Sequence, residues 1–229
     1  MEYVPLFNEF LRFFRLDKFF WIGKTLTFVK PPNSHQMVLP SQTNTRFDIV
    51  EIKDSSIIPE LQKCLEGTKD YSYSQEELRV KFEEMFSNGS HVLVARDKEK
   101  ANAVAGLLWI TAKKYNIQNR ILLDLPKNLV FQEFAFVKKE YRGLGVYSLI
   151  IQHVFRQFSS SFVACIIIPY NEVSIAIHSR YGYERNGSIY YFYLCGLMLA
   201  TFRFGSTRRR LFRIRNKSLY PIKLNDPSI

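Results

Sequence analysis

The segment Val137-Lys-Lys-Glu-Tyr-Arg-Gly-Leu-Gly-Val-Tyr147 sets two glycines among three cations. Gly143 and Gly145 lack a Cβ, so the backbone there can approach a ligand closely. If a helix starts at Gly145, its first amides have no carbonyl partners and carry the positive end of the helix dipole. A phosphate or pyrophosphate is the anion that such main-chain donors hold, with Lys138, Lys139 and Arg142 adding charge. An ordinary tight strand-to-helix connection uses the same glycines, so the turn by itself leaves both readings open. Metal chemistry is not expected. Cys64, Cys165 and Cys195 are odd in number and widely spaced, with no CxxC pair or His-rich cluster. That argues against a zinc site or disulfide framework and for a reducing compartment, the cytoplasm.

The elements that must position this turn alternate between strand and helix. Phe47–Ile52 reads as a strand, Pro59–Leu65 as a short helix, and Ser74–Phe86 as a longer one capped by Ser74 with Glu77 three residues on. Asn88-Gly89 turns the chain into a strand at His91–Ala95, which pairs as a hairpin with Val104–Ala112. Val130–Val137 is the strand before the glycine turn, and Gly145–Phe158 is the helix after it. Phe162–Ile168 is a β-branched run and hence a buried strand. Asn171–Tyr181 is a helix and Gly187–Leu194 a final strand. The predicted class is α/β (α+β), one domain around a mixed sheet without internal repeats.

In that order and context, Arg142-Gly-Leu-Gly-Val-Tyr147 resembles the R/Q-x-x-G-x-G/A signature of the GNAT superfamily of N-acyltransferases. A second stretch, Asn171-Glu-Val-Ser-Ile-Ala-Ile-His-Ser-Arg-Tyr-Gly-Tyr183, is similar to the family's Asn-led helix that ends in Gly-Phe or Gly-Tyr. The resemblance covers roughly residues 47 to 195. It implies a central splayed sheet flanked by helices, and an acyl-coenzyme A whose pyrophosphate is held at Arg142, Gly143, Leu144, Gly145, Val146 and Tyr147. The main-chain amides of Arg142, Leu144, Gly145 and Tyr147 are the expected donors. Phe136 and Val137 would hold the pantetheine arm and the thioester carbonyl, and Asn171 would contact the cofactor arm.

The implied reaction is attack of a neutral amine on the thioester carbonyl, through an oxyanion stabilised by a backbone N–H, that of Val137. An alkylammonium of pKa about 10.4 must first lose a proton, so a carboxylate is useful. Glu133 is the candidate, four residues before Val137 and, by period two, on the same strand face. A charged residue on a solvent-facing strand position is the alternative. Gln132 points to the other face and could bind the acceptor. Where the family often has a Tyr that protonates the departing thiolate, this chain has His178, with Tyr181 and Tyr147 as other candidate acids. A structural histidine is the plain alternative for His178. Tyr147 also replaces the signature's final Gly/Ala.

The ends of the chain depart from the family. Phe7, Phe10, Phe13, Phe14, Phe19, Phe20 and Trp21 make the start aromatic, and residues 5 to 20 suit an amphipathic helix, packed on the protein's own core, forming a lid over an apolar substrate, or lying on a membrane surface. Glu2, Glu9, Arg12, Arg15 and Asp17 interrupt any signal-peptide layout. No uncharged run reaches the roughly 20 residues of a membrane span. Pro31, Pro32, Asn33 and Ser34 mark a junction. After Leu194, eight basic residues from Arg203 to Lys223 interleave with Phe202, Phe204, Leu211, Phe212 and Ile214, with no acid before Asp226. That mixture suits an acyl-carrier protein or membrane headgroups, or is simply solvated. Nucleic acid is disfavoured because no matching motif accompanies it.

The composition agrees with a folded domain and an anionic partner. The 229 residues carry 32 basic against 21 acidic side chains, a net +11, and 47% are hydrophobic. Disorder, collagen-like fibre and disulfide scaffolds are thereby excluded. The expected organisation is an N-terminal extension over 1–46, a GNAT-like domain over 47–195 and a basic-aromatic extension over 196–229. The expected activity is transfer of an acyl group, most simply acetyl from acetyl-CoA, to a primary amine of a small molecule such as an amino sugar or amino acid. Long-chain transfer from acyl-CoA or acyl-carrier protein to an amino acid or amino lipid is the enzyme alternative. A non-catalytic module docking an anionic partner or membrane surface is the alternative of another class.

Overall fold

Four runs rich in aliphatic and aromatic residues form the scaffold on which the glycine turn sits. The computed structural model describes residues 20–32, 46–66, 68, 73–117, 121–194, 197–204 and 213–216. In chain order the elements are β1 (Phe20–Lys30), β2 (Phe47–Ile52), α1 (Ile58–Leu65), α2 (Gln75–Ser87), β3 (His91–Asp97) and β4 (Ala103–Thr111). β5 (Lys114–Ile117), β6 (Ile121–Asp124), β7 (Leu129–Val137), α3 (Val146–Gln157) and β8 (Phe162–Ile167) follow. α4 (Glu172–Arg180), β9 (Glu184–Leu194), β10 (Leu197–Phe204) and β11 (Arg213–Asn216) complete the series. Contacts divide the chain into two units, one of Pro31–Lys114 with Leu125–Val163, the other of Met1–Lys30, Tyr115–Asp124 and Ala164–Ile229.

In the first unit β2, β3, β4 and β7 pair antiparallel in that order. Neighbouring residues of β3 (Val92, Leu93, Val94, Ala95) are all without solvent exposure, so both faces of this sheet are covered. One face takes Val92, Val94, Leu107, Trp109 and Phe136 against Leu61, Phe82 and Met85 of α1 and α2. Phe82 stacks on the Trp109 indole at 5.2 Å, and Phe86 meets it edge-on at 4.6 Å. α3 lies over the other face, across β4, β3 and β2, presenting buried Val146, Ile150, Ile151 and Val154. The Phe162 N–H donates to the Asn128 carbonyl at 2.8 Å, which ties the chain after α3 to the residue before β7.

Local signals explain the element ends. Ser74 Oγ accepts the Glu77 N–H while Glu77 Oε2 accepts the Ser74 N–H, the reciprocal cap that the sequence predicts for α2. Gly89, at φ +81°, then ends that helix in the left-handed conformation.

In the second unit β1 pairs antiparallel with β9 from Phe20↔Leu194 to Val29↔Glu184, and β10 pairs with the other edge of β9. Leu26, Phe28, Val29, Ile189 and Tyr191 are buried there. β11 pairs with β6, Arg213 opposite Asp124. Sequence reasoning contains no strand at Phe20–Lys30, β5, β6, β10 or β11. β1 falls within the segment 1–46 expected as an extension, and β10 and β11 within 196–229. The amphipathic helix expected before residue 20 lies outside the described residues, as do Arg208, Arg209, Arg210, Lys217 and Lys223. Among the described residues no helix is long and apolar enough to cross a membrane. The architecture is α/β (α+β), with mixed sheet and flanking helices, as expected.

Candidate active site

β7 carries a carboxyl group into an apolar setting. Trp109 of β4 faces Phe134 and Ile110 faces Gln132, so Glu133 is an extra residue, a β-bulge. The bulge interrupts period two and corrects the expectation that Glu133 shares a face with Val137. The Glu133 carboxylate accepts a 2.5 Å hydrogen bond from buried Ser90 Oγ, and Lys81 and Glu84 of α2 are its charged neighbours. The Lys81 ammonium itself lies 5.4 Å over Phe134 and 4.5 Å over Tyr73. Glu133 therefore looks toward α2. Val137, opposite Gly106, and Val146 of α3 both reach the place where a Cβ on Gly106 would stand. Burial pushes the Glu133 carboxyl up to about 7, against the smaller opposing effects of Ser90 and Lys81.

Further along, β7 runs into the glycine turn. The Lys138 N–H donates to Ala105 at 3.0 Å, closing the ladder to β4. Alternation along an antiparallel pair then turns the Val137 N–H away from β4. A 3-10 turn over Lys139–Tyr141 follows, and Arg142 stands at φ −66°, ψ 144°. With Gly143 at φ +80° and the Leu144 N–H donating to Tyr141 at 3.3 Å, residues 141–144 make a type II β-turn. Gly145, at φ +79°, caps α3 without a side-chain bond, and the first intrahelical bond runs from Leu149 to Gly145.

This turn corrects part of the expected donor set. The amides of Arg142 and Leu144 are spent on Lys139 and Tyr141, and the Arg142 Nε donates to the Val137 carbonyl at 3.1 Å. The amides of Gly143, Gly145 and Val146 precede the intrahelical ladder and suit an anion better. A Cβ built on Gly143 would meet nothing within 4 Å, so open space lies over that backbone. By contrast, a Cβ on Gly106 would come within 2.9 Å of the Phe136 carbonyl oxygen and 3.1 Å of Val146. Gly106 therefore allows β4, β7 and the start of α3 to meet closely.

The remaining candidates stand in the second unit, on α4 and its ends. Exposed Asn171 caps the helix, its Oδ1 accepting the Ser174 N–H at 3.0 Å, which leaves the amide nitrogen for an outside partner. His178 is buried. Its Nδ1 lies 2.7 Å from the Ser174 carbonyl oxygen, and since a carbonyl only accepts, Nδ1 carries the hydrogen and Nε2 the lone pair. The ring meets Tyr183 edge-on at 5.0 Å, and burial pushes its pKa down. Tyr181 is buried and donates its N–H to Ile177 and His178, while Gly182 at φ +77° ends the helix.

Among solved structures, the chain is similar to a functionally unknown conserved protein from Staphylococcus epidermidis ATCC 12228. That match has 15% identity and a TM-score of 0.54, over 82% of this chain and 65% of that one. That likeness is one of fold, an α/β (α+β) arrangement of mixed sheet and flanking helices. A tandem GNAT protein from the clavulanic acid biosynthesis pathway is similar at 14% identity and TM-score 0.49, over 76% of this chain and 54% of that one. An aminoglycoside N-acetyltransferase in complex with CoA is similar at 16% identity and TM-score 0.47, over 72% and 95%. The chain thus spans less than two thirds of the length of the first two. At these identities the likeness is one of fold. No family model matches the chain, and no curated protein sequence does.

Within the first unit, β7, the turn and the start of α3 bring together Glu133, Phe136, Val137, Arg142, Gly143, Leu144, Gly145, Val146 and Tyr147. Asn171, His178 and Tyr181 share α4 and its two ends. Sequence reasoning missed Ser90, because a lone Ser before a strand carries no chemical signal. It also missed the hydrogen bond that the Tyr141 hydroxyl makes to the Asp97 carboxylate, which sequence spacing conceals.

Proposed function

We propose that the protein is an acyl-CoA-dependent N-acyltransferase that acylates a primary amine of a small molecule, with acetyl the simplest donor group. The observation that carries this reading is on β7. A half-buried carboxyl group raised to about 7 stands four residues before the strand end that feeds a glycine turn and a helix start. A carboxyl group with that pKa is ionised in part at neutral pH and still basic enough to collect an ammonium's proton.

The residues present fit an acyl-CoA. The open space over Gly143 and the amides of Gly143, Gly145 and Val146 suit its pyrophosphate, and Lys138 and Lys139 add charge. Phe136, Val137 and Asn171 would hold the rest of the arm. Bound acyl-CoA supplies the thioester carbonyl. Glu133 would take the amine's proton, and the Val137 N–H, turned off β4, would stabilise developing negative charge. His178 enters as a neutral imidazole whose Nε2 accepts, so protonation of the leaving thiolate falls to Tyr181 or Tyr147, or to His178 after it has gained a proton.

Native mass spectrometry of the purified full chain, followed by thiol release with a panel of donors and amines, tests the proposal. A retained or saturably bound acetyl-CoA, with amine-dependent thiol release, supports it. Turnover with long-chain thioesters alone would replace acetyl by a long acyl group. Failure to bind any thioester at high concentration would overturn the enzyme reading.

A further inference from the structure

The glycine turn is tied to the core at its first residue. Tyr141 is 3% exposed, yet it is residue i of the type II turn, and its carbonyl closes that turn by accepting the Leu144 N–H. Its hydroxyl donates to the Asp97 carboxylate at the end of β3. Asp97 has no solvent exposure, which would be prohibitive for a lone carboxylate. Arg46 donates to it through Nε at 3.0 Å and Nη2 at 2.7 Å, and the Glu99 N–H adds a third bond at 3.1 Å. The Arg46 guanidinium lies 5.2 Å from the Phe47 ring and 6.0 Å from the Tyr141 ring, and Phe47 meets Tyr141 edge-on at 5.9 Å. The Lys100 ammonium lies 5.3 Å over Tyr141. These hydrogen bonds hold the Asp97 carboxyl below the usual carboxylate range, so it remains a fixed acceptor at neutral pH.

We propose that Asp97, clamped by Arg46, is a positioning residue for the anion-binding turn and acts through the Tyr141 hydroxyl. The physical reason is mechanical. Gly143 and Gly145 both sit at positive φ, in conformations that their missing side chains leave soft. An entropy cost then attends every ordering of that turn on a ligand, unless the protein has already fixed the residue that opens it. Tyr141 is that residue, and Asp97 is the reason its ring cannot drift.

The proposal rests on the acyltransferase reading for its ligand, so the experiment has two arms. In the full chain, Tyr141→Phe keeps the ring and removes the hydroxyl, while Arg46→Lys keeps a charge and removes the paired bonds. The ligand arm measures acetyl-CoA binding and steady-state kinetics. Each variant is expected to weaken acetyl-CoA binding about three- to tenfold, the size of one hydrogen bond, with the amine KM and the pH profile of turnover unchanged. A merely structural residue would instead move both KM values together or neither. The second arm needs no ligand. Amide hydrogen exchange of the free protein should quicken at Leu144 in each variant and stay unchanged across β3 and β4. Wild-type exchange at Leu144 in Tyr141→Phe overturns the clamp, whatever binds. If the wild type binds no acetyl-CoA while exchange at Leu144 quickens as expected, the acyltransferase reading fails and the clamp stands.

Discussion

Glu133 is costly to the fold in the ionised form that the proposed reaction uses. Its pKa is raised in the folded state from an ordinary 4.5 to about 7, so the stabilising contribution is complete below about pH 4.5 and is lost as pH rises to about 7. Ionised Glu133 therefore weakens the fold at pH 8 by on the order of 3 kcal/mol. Glu133→Gln is expected to lower kcat/KM about a hundredfold or more and to remove the rise in rate through pH 7. The same variant should unfold at a higher denaturant concentration at pH 8. A variant that keeps its rate, or loses stability, would show that the carboxylate does neither job. His178 differs, because its Nδ1–H is already committed to the Ser174 carbonyl. His178→Phe should lower turnover more than it weakens acetyl-CoA binding. Equal turnover in both proteins from about pH 6 to about pH 9 would remove His178 from the chemistry.

At the scale of elements, the turn between β7 and α3 and the close approach of β4 to β7 depend on glycine for different reasons. Gly143 stands at φ +80° with open space where a Cβ would go, so Gly143→Ala meets a conformational penalty of about 1 kcal/mol and no clash. Its methyl would occupy the space assigned to the pyrophosphate, so acetyl-CoA binding should fall by more than stability does. Gly106→Ala has the reverse signature. Its Cβ would press within 2.9 Å of a backbone oxygen, which cannot give way as a flexible side chain can. About 1–3 kcal/mol of destabilisation is expected, with the end of β7 displaced. Denaturant melts and acetyl-CoA titrations on the two variants separate the cases. Equal loss of binding and stability in both would refute the distinction.

Across the whole molecule, pH response sums groups that oppose one another. Burial lowers the pKa of His91, His153 and His178, so the stability they contribute is present above about 6.5 and is lost as pH falls. Glu133 acts in the opposite direction over about pH 4.5 to 7. The lowered carboxylates Asp54, Glu60, Glu76 and Asp97 add their loss only below about pH 4. Thermal melts should therefore show Tm responding less favourably to acidification from pH 7 to pH 5 in Glu133→Gln than in the wild type, because the group that gains stability over that range is gone. An identical pH dependence of Tm in the variant would contradict this sum.

Much was legible in the sequence wherever a local rule governs one element. Ser74 with Glu77 located the start of α2, Gly182-Tyr183 the end of α4, and Gly143 with Gly145 the turn, because caps and positive-φ residues act within a few positions. Features that depend on distant pairing were not legible. The aromatic run Phe20–Lys30 is a strand because β9, more than 150 residues later, supplies its hydrogen-bond partners. The bulge at Glu133 exists only as a mismatch between β4 and β7, and it decides that the carboxyl group faces Ser90 and not the side of Val137. Asp97 and Tyr141 likewise meet only after β3, β4 and β7 are side by side. Sequence alone thus determined the chemical groups and the order in which the fold presents them. The tertiary structure decided their direction, burial and proton affinity, because pairing register and desolvation are set by residues far apart along the chain.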